Sequence, residues 1–316
     1  MIQTIEDHLP VDRAIPALGA AAEDGLSRLL DGVGLRVSVG RMVILKHHPG
    51  DRCTLLLDVP GRRLVFKAYA QDPSPIAQVL RVMSRHGLGT GRAPTVSPLE
   101  AVDAELRFLV LRWLDGVRGR ELLDDEAGDR VGSLAVTWLR AVQCVGLGLG
   151  EVFDSSRVLL EASRWRDSLA SANAAIGSDA AVTVSALQAK APLATPHRLQ
   201  HGSFSPSHLV DLREGPGLID WDSFCQGPIE LDAGNFLAVL SRIGTGMEER
   251  RREADRAAQT FRARLSDLVQ PDVLEWYRAA MLVKHAKYLS IRHPPRWKER
   301  AVALLAEARA ALELPA

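Results

Sequence analysis

The residues able to do chemistry crowd into one stretch. From Leu199 to Asp232 the chain reads LQHGSFSPSHLVDLREGPGLIDWDSFCQGPIELD. His201 and His208 flank a first apolar run, and Asp220 and Asp222 end a second. Polar and titratable groups thus bracket two short apolar runs, and no other stretch of the chain packs so much potential chemistry. Two histidines beside an apolar loop are more often packing and hydrogen-bonding groups than ligands. Cys225, close by, has no local feature that would make its thiol reactive.

Elements must hold this stretch in place, and the pattern names them. The stretch itself reads as a loop, a short strand, a Gly-Pro-Gly turn, a second strand and a polar loop feeding a helix. Upstream, residues 1–34 read as a helical extension, with Leu18, Leu26, Leu29 and Leu30 on one stripe. Arg36–His48, Cys53–Val59 and Arg63–Tyr69 read as three strands joined by the turns Pro49-Gly50-Asp51 and Pro60-Gly61, an antiparallel meander. Ser74–His86 reads as a helix with Ser74 as its cap and Pro75 in its first turn. Two more strands are expected around Val96–Val102 and Leu106–Leu114.

From Asp115-Gly116 the pattern turns helical. Helices are expected over Arg130–Leu147, Val158–Ser171 and Thr183–Lys190, with an Ala/Gly/Ser-rich break at Ser171–Ala181. After the site stretch come Ala233–Arg242, Glu248–Val269, Pro271–Arg292 and Pro295–Leu312. The organisation predicted is thus a helical extension (1–34), a β-rich part (35–114) and a helical part (115–316).

Composition excludes several classes. The chain has 316 residues, enough for two lobes, and Lys+Arg and Asp+Glu both number 39, so a broadly basic nucleic-acid binder is not expected. Three scattered cysteines, Cys53, Cys144 and Cys225, form no CxxC pair and point to a reducing cytoplasm. The start MIQTIEDHLP does not read as a signal peptide, and no run of about 20 apolar residues suggests a membrane span. No GxGxxG after a strand, GxSxG, HExxH or GxxxxGK[ST] occurs. The arginines Arg250–Arg252, Arg256, Arg262 and Arg264 share their helix with Glu248, Glu249, Glu253 and Asp255, which reads as a solvated face with i,i+4 pairs. Ala, Arg, Gly and Leu richness is what a high-GC bacterial genome gives. Lys67 alternates with Phe66 and Ala68, which alone favours a solvent-facing lysine; the functional alternative is a lysine that holds an anion.

The order of these pieces resembles the aminoglycoside phosphotransferase and choline kinase branch of the protein-kinase-like fold. HGSFSPSHLV, LIDWDSFCQGP and ELDAGNFL follow the family order HGDxxxxN, then IDW/FxxxxxGxxxxDL, and the resemblance spans Leu35 to Leu312. It implies an α+β, two-lobed fold: a small antiparallel sheet with one helix in front and a larger helical lobe behind. It further implies ATP, or GTP, with Mg²⁺ as cofactors and a small-molecule or peptide hydroxyl as acceptor. Lys67 matches the strand lysine on the nucleotide phosphates. Gly50 and Arg52 lie in the turn expected over those phosphates, and Arg112, Trp113 and Leu114 match the adenine hinge. Asp220 matches the metal-binding aspartate. Asp232 matches the buried aspartate that props the catalytic loop, and His201 the histidine packed beneath it.

Two positions depart from the family, and both belong to the chemistry. Ser203 stands where the family has its catalytic aspartate, and a serine hydroxyl is no base near neutral pH. His208 stands where an asparagine oxygen would bind the second metal. Asp222 is the candidate substitute base or ligand. The helix after Lys67 offers Gln78 but no acid. Two readings follow: a phosphotransferase with altered catalysis, or a pseudokinase that serves as a nucleotide- or peptide-binding module or as the partner of another protein in a biosynthetic complex. Asp272, Glu275 and Glu299 are scattered over 271–312, which disfavours a polycationic aminoglycoside acceptor.

Overall fold

The computed structural model describes residues 9–146, 148–193, 196–246 and 248–313. Most of the N-terminal segment read for a signal, and the predicted helix end at Leu147, lie outside these residues. In chain order the elements are α1 (Pro16–Asp24), α2 (Leu26–Gly32), β1 (Arg41–His48), β2 (Arg52–Val59), β3 (Arg62–Tyr69), α3 (Ser74–Arg85), β4 (Thr95–Val96), β5 (Leu99–Asp103) and β6 (Phe108–Arg112). They continue with β7 (Val117–Arg118), α4 (Gly119–Leu122), α5 (Gly128–Val142), α6 (Ser155–Ala172), α7 (Ala174–Ala189), β8 (Arg198–Gln200), β9 (Leu209–Asp211), β10 (Pro216–Leu218) and β11 (Cys225–Gly227). The last four are α8 (Ile229–Gly244), α9 (Glu248–Leu265), α10 (Pro271–Arg292) and α11 (Trp297–Ala311). The predicted α+β class is the one observed. Two compact units result, one of residues 1–115 with 217–219, the other of 116–216 with 220–316.

The first unit is a five-stranded antiparallel sheet in the order β1-β2-β3-β6-β5, with β10 beside β4 in parallel. The turns at Gly50 (φ 74°) and Gly61 (φ 79°) use left-handed backbone that glycine adopts at no steric cost, which fixes the meander's register. Leu64, Phe66 and Ala68 of β3 face one side, where Ile15, Leu18, Leu29 and Leu30 of the N-terminal segment join them in the core. The N-terminal helices are therefore part of this unit's core. Each such buried Leu or Phe contributes roughly 1.5–3 kcal/mol. Val65, Lys67 and Tyr69 face the other side, where Tyr69, Ala77 and Leu109 cluster. Helix α3 starts at the residue expected to cap it: Ser74 is its first residue, Pro73 is the capping position, and Asp72 Oδ1 accepts from the Ser74 N–H at 2.9 Å.

The second unit packs α10 against α8, α11, α6 and α7 over a core that includes Trp165, Trp276, Tyr277 and Leu282. The expected break at Ser171–Ala181 is a correction. Only Asn173 interrupts, capping α7 through the Ile176 N–H, and helix resumes at once. Alanine, the best helix former, outweighs the small polar residues there. Gly177 is in α7 because a Cβ there would run into the Ala170 backbone of α6. The α9 arginines are also not a face paired along its own helix. Arg250 pairs with Asp124, Arg256 with Asp129 as well as Glu253, and Arg262 with Glu275. Their acids sit mainly on other segments, so the charges tie the unit together. Among the described residues no helix is long and apolar enough to cross a membrane.

Candidate functional site

The 201–208 loop, where the predicted site residues lie, is fixed from below. β8 and β11 pair antiparallel and bracket it, with Cys225 opposite Gln200. Gly202 has φ 74°, and a Cβ there would run into the Ser223 carbonyl, so the loop demands glycine on two counts. Asp232, in the first turn of α8 and 2% exposed, accepts from the His201 N–H at 2.6 Å and the Gly202 N–H at 2.9 Å. One turn on, Asn235 Nδ2 donates to the Phe204 carbonyl at 2.8 Å. Phe204 stacks on Phe236 at 5.2 Å, and Phe236 on Phe261 at 4.7 Å. Burial pushes the Asp232 carboxyl up to about 6, against the opposing pull of its backbone N–H donors and of Lys284.

The upper side of the loop gathers the predicted reacting groups. Ser203 Oγ lies 3.1 Å from His201 Nδ1. The Ser203 carbonyl accepts from His208 Nδ1 at 3.0 Å, and Ser205 Oγ lies 3.4 Å from the same nitrogen. The two imidazoles stack at 5.0 Å, and Trp221 packs against His201 at 4.9 Å. His208 Nε2 is 3.6 Å from Asp220 Oδ2. With Nδ1–H spent on a carbonyl, a neutral His208 presents the Nε2 lone pair towards this carboxylate. Two acceptors facing each other call for a cation between them or a proton on the ring. Asp220 itself is left-handed (φ 69°, ψ 57°) and opens the single 3-10 turn Trp221–Ser223, in which Asp222 is half-buried. Aspartate tolerates that backbone better than most residues.

The structure thus brings Ser203, His201, His208, Asp220 and Asp232 together. Asn235 was missed, although it stands in the quoted ELDAGNFL at i+3 from Asp232, the spacing that puts both on one helix face. Cys225 is buried, which pushes its thiol up to about 12 and keeps it protonated. The described residues contain no group of three or more His, Cys, Asp or Glu placed to hold a metal, so a cation here would draw on Asp220, His208 and the oxygens of a bound molecule. Asp220 suits Mg²⁺; His208 suits it less well than the asparagine oxygen would.

The remaining predicted residues lie in the sheet unit. Lys67 is 6% exposed, a correction to the solvent-facing reading, because Tyr69 and its neighbours cover that face; Nζ lies 5.7 Å from the Tyr69 ring centre. Gln78 on α3 is exposed. The Gly50 N–H donates to Asp12 at 2.8 Å, and His47 Nε2 holds the same carboxylate at 3.0 Å. Arg52 pairs with Asp51 at 3.1 Å. Arg112 grips Glu100 through Nε and Nη2, Arg63 lies over the Trp113 ring at 5.1 Å, and Leu114 is buried. The Arg112 and Trp113 N–H groups bond to the Pro98 and Arg63 carbonyls.

Comparison with known proteins places this architecture in the protein-kinase-like class. A crystal structure of a thermostable mutant of aminoglycoside phosphotransferase APH(4)-Ia, in ternary complex with ADP and hygromycin B, is similar at TM-score 0.64 and 14% identity, over 91% of this chain and 97% of the other. A choline/ethanolamine kinase family protein from Mesorhizobium loti is similar at 0.59 and 16%, over 95% and 96%. Choline kinase LicA from Streptococcus pneumoniae is similar at 0.60 and 13%, over 94% and 99%. No curated protein matches the sequence. Residues 54–277 match the phosphotransferase enzyme family APH, and the chain belongs to that family.

Proposed function

We propose that the chain binds ATP or GTP with Mg²⁺ and transfers the γ-phosphate to a hydroxyl of a small molecule or peptide. Family membership supports phosphotransfer, and the fold's relatives include one solved with ADP and hygromycin B. The observation that carries the reading is the 3.6 Å approach of His208 to Asp220, above a loop locked by Asp232. In this reading Asp220, with His208 beside it, holds the cation, and Lys67, Gly50 and Arg52 serve the phosphates. Arg112–Leu114 serve the base. The bound cation would neutralise phosphate charge. The acceptor oxygen bonds to the γ-phosphorus as the bridge to the β-phosphate breaks, and the hydroxyl proton leaves to water. Ser203 positions that hydroxyl and does not deprotonate it, with Asp222, two residues beyond Asp220, as the substitute acid to assist. Phosphoryl transfer is dominated by positioning and electrostatics, so turnover survives at a rate about 10²–10⁴-fold below that of a carboxylate-equipped loop.

The Ser203–His201 contact favours a second reading, because it fills the base position with a hydroxyl held by an imidazole and no carboxylate. There the protein is a pseudokinase: a nucleotide- or peptide-binding module, or a partner subunit. One experiment separates the two. Thermal shift with ATP·Mg is measured first; at a hundredfold excess over Kd a ligand stabilises by about 2.7 kcal/mol. ATP turnover follows, in the native chain and in Asp220→Ala. A shift with turnover that the variant loses is the expected result. A shift without turnover supports the nucleotide-binding pseudokinase, and no shift overturns both nucleotide-binding readings and leaves a scaffold.

A further inference from the structure

Half-buried arginines of the helical unit differ in whether a carboxylate faces them. Arg278 meets Glu275 and Glu307, and Glu307 also accepts from Ser241 Oγ at 2.7 Å. Arg242, next to Ser241 on α8, meets no carboxylate among the described residues, and neither does Arg300 on α11. The Nε of each is buried without a hydrogen-bond partner. Arg300 Nη2 reaches only the Arg242 carbonyl, at 3.4 Å. The Tyr288 ring fixes the Arg242 guanidinium at 4.9 Å and carries Arg292 at 5.7 Å.

His285 completes the group from α10. It is 8% exposed, yet neither ring nitrogen has a hydrogen-bond partner. Burial, together with the charges of Arg242 and Lys284, holds it well below the ordinary imidazole range, so it is neutral and offers one N–H. Arg300 and the exposed Arg120 of α4 both act on Arg242 as like charges. Arg120 follows Gly119, where a Cβ would come within 2.7 Å of the Pro206 carbonyl, so this edge of the cluster adjoins the catalytic loop.

Cations gathered out of water without counter-charge cost several kcal/mol. A bound oxyanion removes that cost, and the guanidinium fork matches its geometry. We propose that Arg242, Arg300 and His285, with Arg120 at the rim, form an oxyanion site that seats a phosphate or carboxylate group of the acceptor molecule. The anion site stands on its own; its assignment to the acceptor rests on the phosphotransfer reading.

Calorimetric titration of the full chain with inorganic phosphate, and separately with acetate, at constant ionic strength tests the site and tells phosphate from carboxylate preference. Saturable binding of one anion is expected, weakened at least tenfold in Arg242→Gln and in the half-exposed Arg300→Gln, and retained in Lys67→Ala. Arg242→Lys, which keeps charge but loses the fork, falls between. Circular dichroism checks that each variant is folded, and unchanged ATP affinity in Arg300→Gln separates this site from the nucleotide's. Absence of saturable binding, or binding lost in Lys67→Ala and kept in Arg300→Gln, overturns the site. ATP turnover with phosphate- or carboxylate-bearing alcohols, set against neutral and cationic ones, tests the acceptor assignment. Use of the anionic alcohols with a raised acceptor KM in Arg300→Gln supports it, and turnover confined to cationic alcohols overturns it. Failure of ATP to bind while phosphate still does overturns the phosphotransfer reading and leaves the anion site standing.

Discussion

The underside and the upper side of the 201–208 loop are built on different terms. Below, Asp232 and Asn235 take three backbone groups of the loop, and Phe204, Phe236 and Phe261 fill the space behind. Above, Ser203, His208 and Asp220 touch through longer and more adaptable contacts of 3.0–3.6 Å. The lower contacts use invariant backbone geometry and so survive changes in side-chain chemistry above them. A loop can therefore keep its kinase-like course while its reacting groups are replaced.

Three measurements press on that contrast. The largest effect is expected below. Asp232→Ala strands the loop N–H donors that this carboxylate holds, at about 1–3 kcal/mol each, read as a lower urea midpoint, with Asp232→Asn losing about half as much. Second is pH. The folded carboxyl of Asp232 at about 6 lies above its unfolded value of 3.8, so the native state binds the proton more tightly. This group's contribution to stability is then highest below about pH 4, falls as pH rises to about 6, and stays flat above, a change on the order of 2–3 kcal/mol. Subtracting the Asp232→Asn stability profile from the native one isolates it; a difference that rises across that window would contradict the assignment. Smallest is the upper side. Ser203→Asp is expected to leave the unfolding midpoint within about 0.5 kcal/mol and to raise ATP turnover at least tenfold, about 1.4 kcal/mol on the barrier. A large stability loss in that variant would erase the distinction between the two sides.

Much of this was legible in the sequence where local rules apply. The turns at Gly50 and Gly61, helix α10 from its Pro271 start, and the spacing of His201, Asp220 and Asp232 depend on neighbours along the chain. What escaped depends on partners far away. Alternation gave Lys67 a face but could not say that Tyr69 and Leu109 would cover it. The Ala/Gly/Ser-rich run at Ser171–Ala181 reads as a break because the Ala170 backbone that calls for Gly177 belongs to another helix. The acids of the α9 arginines, and the meeting of Arg242, His285 and Arg300 from three helices, have no one-dimensional signature at all.

The left-handed backbone at Asp220 carries a consequence for any attempt to vary this site. Asparagine and glycine can take that turn, and most other side chains cannot without strain of about 1–3 kcal/mol. Glutamate keeps the charge at the cost of that strain, which the chain accepts at Glu126 (φ 56°), and β-branched residues fit this backbone least. A saturation library here would sort by φ before it sorts by function. Its survivors would report the curvature of the backbone at least as faithfully as the needs of a metal.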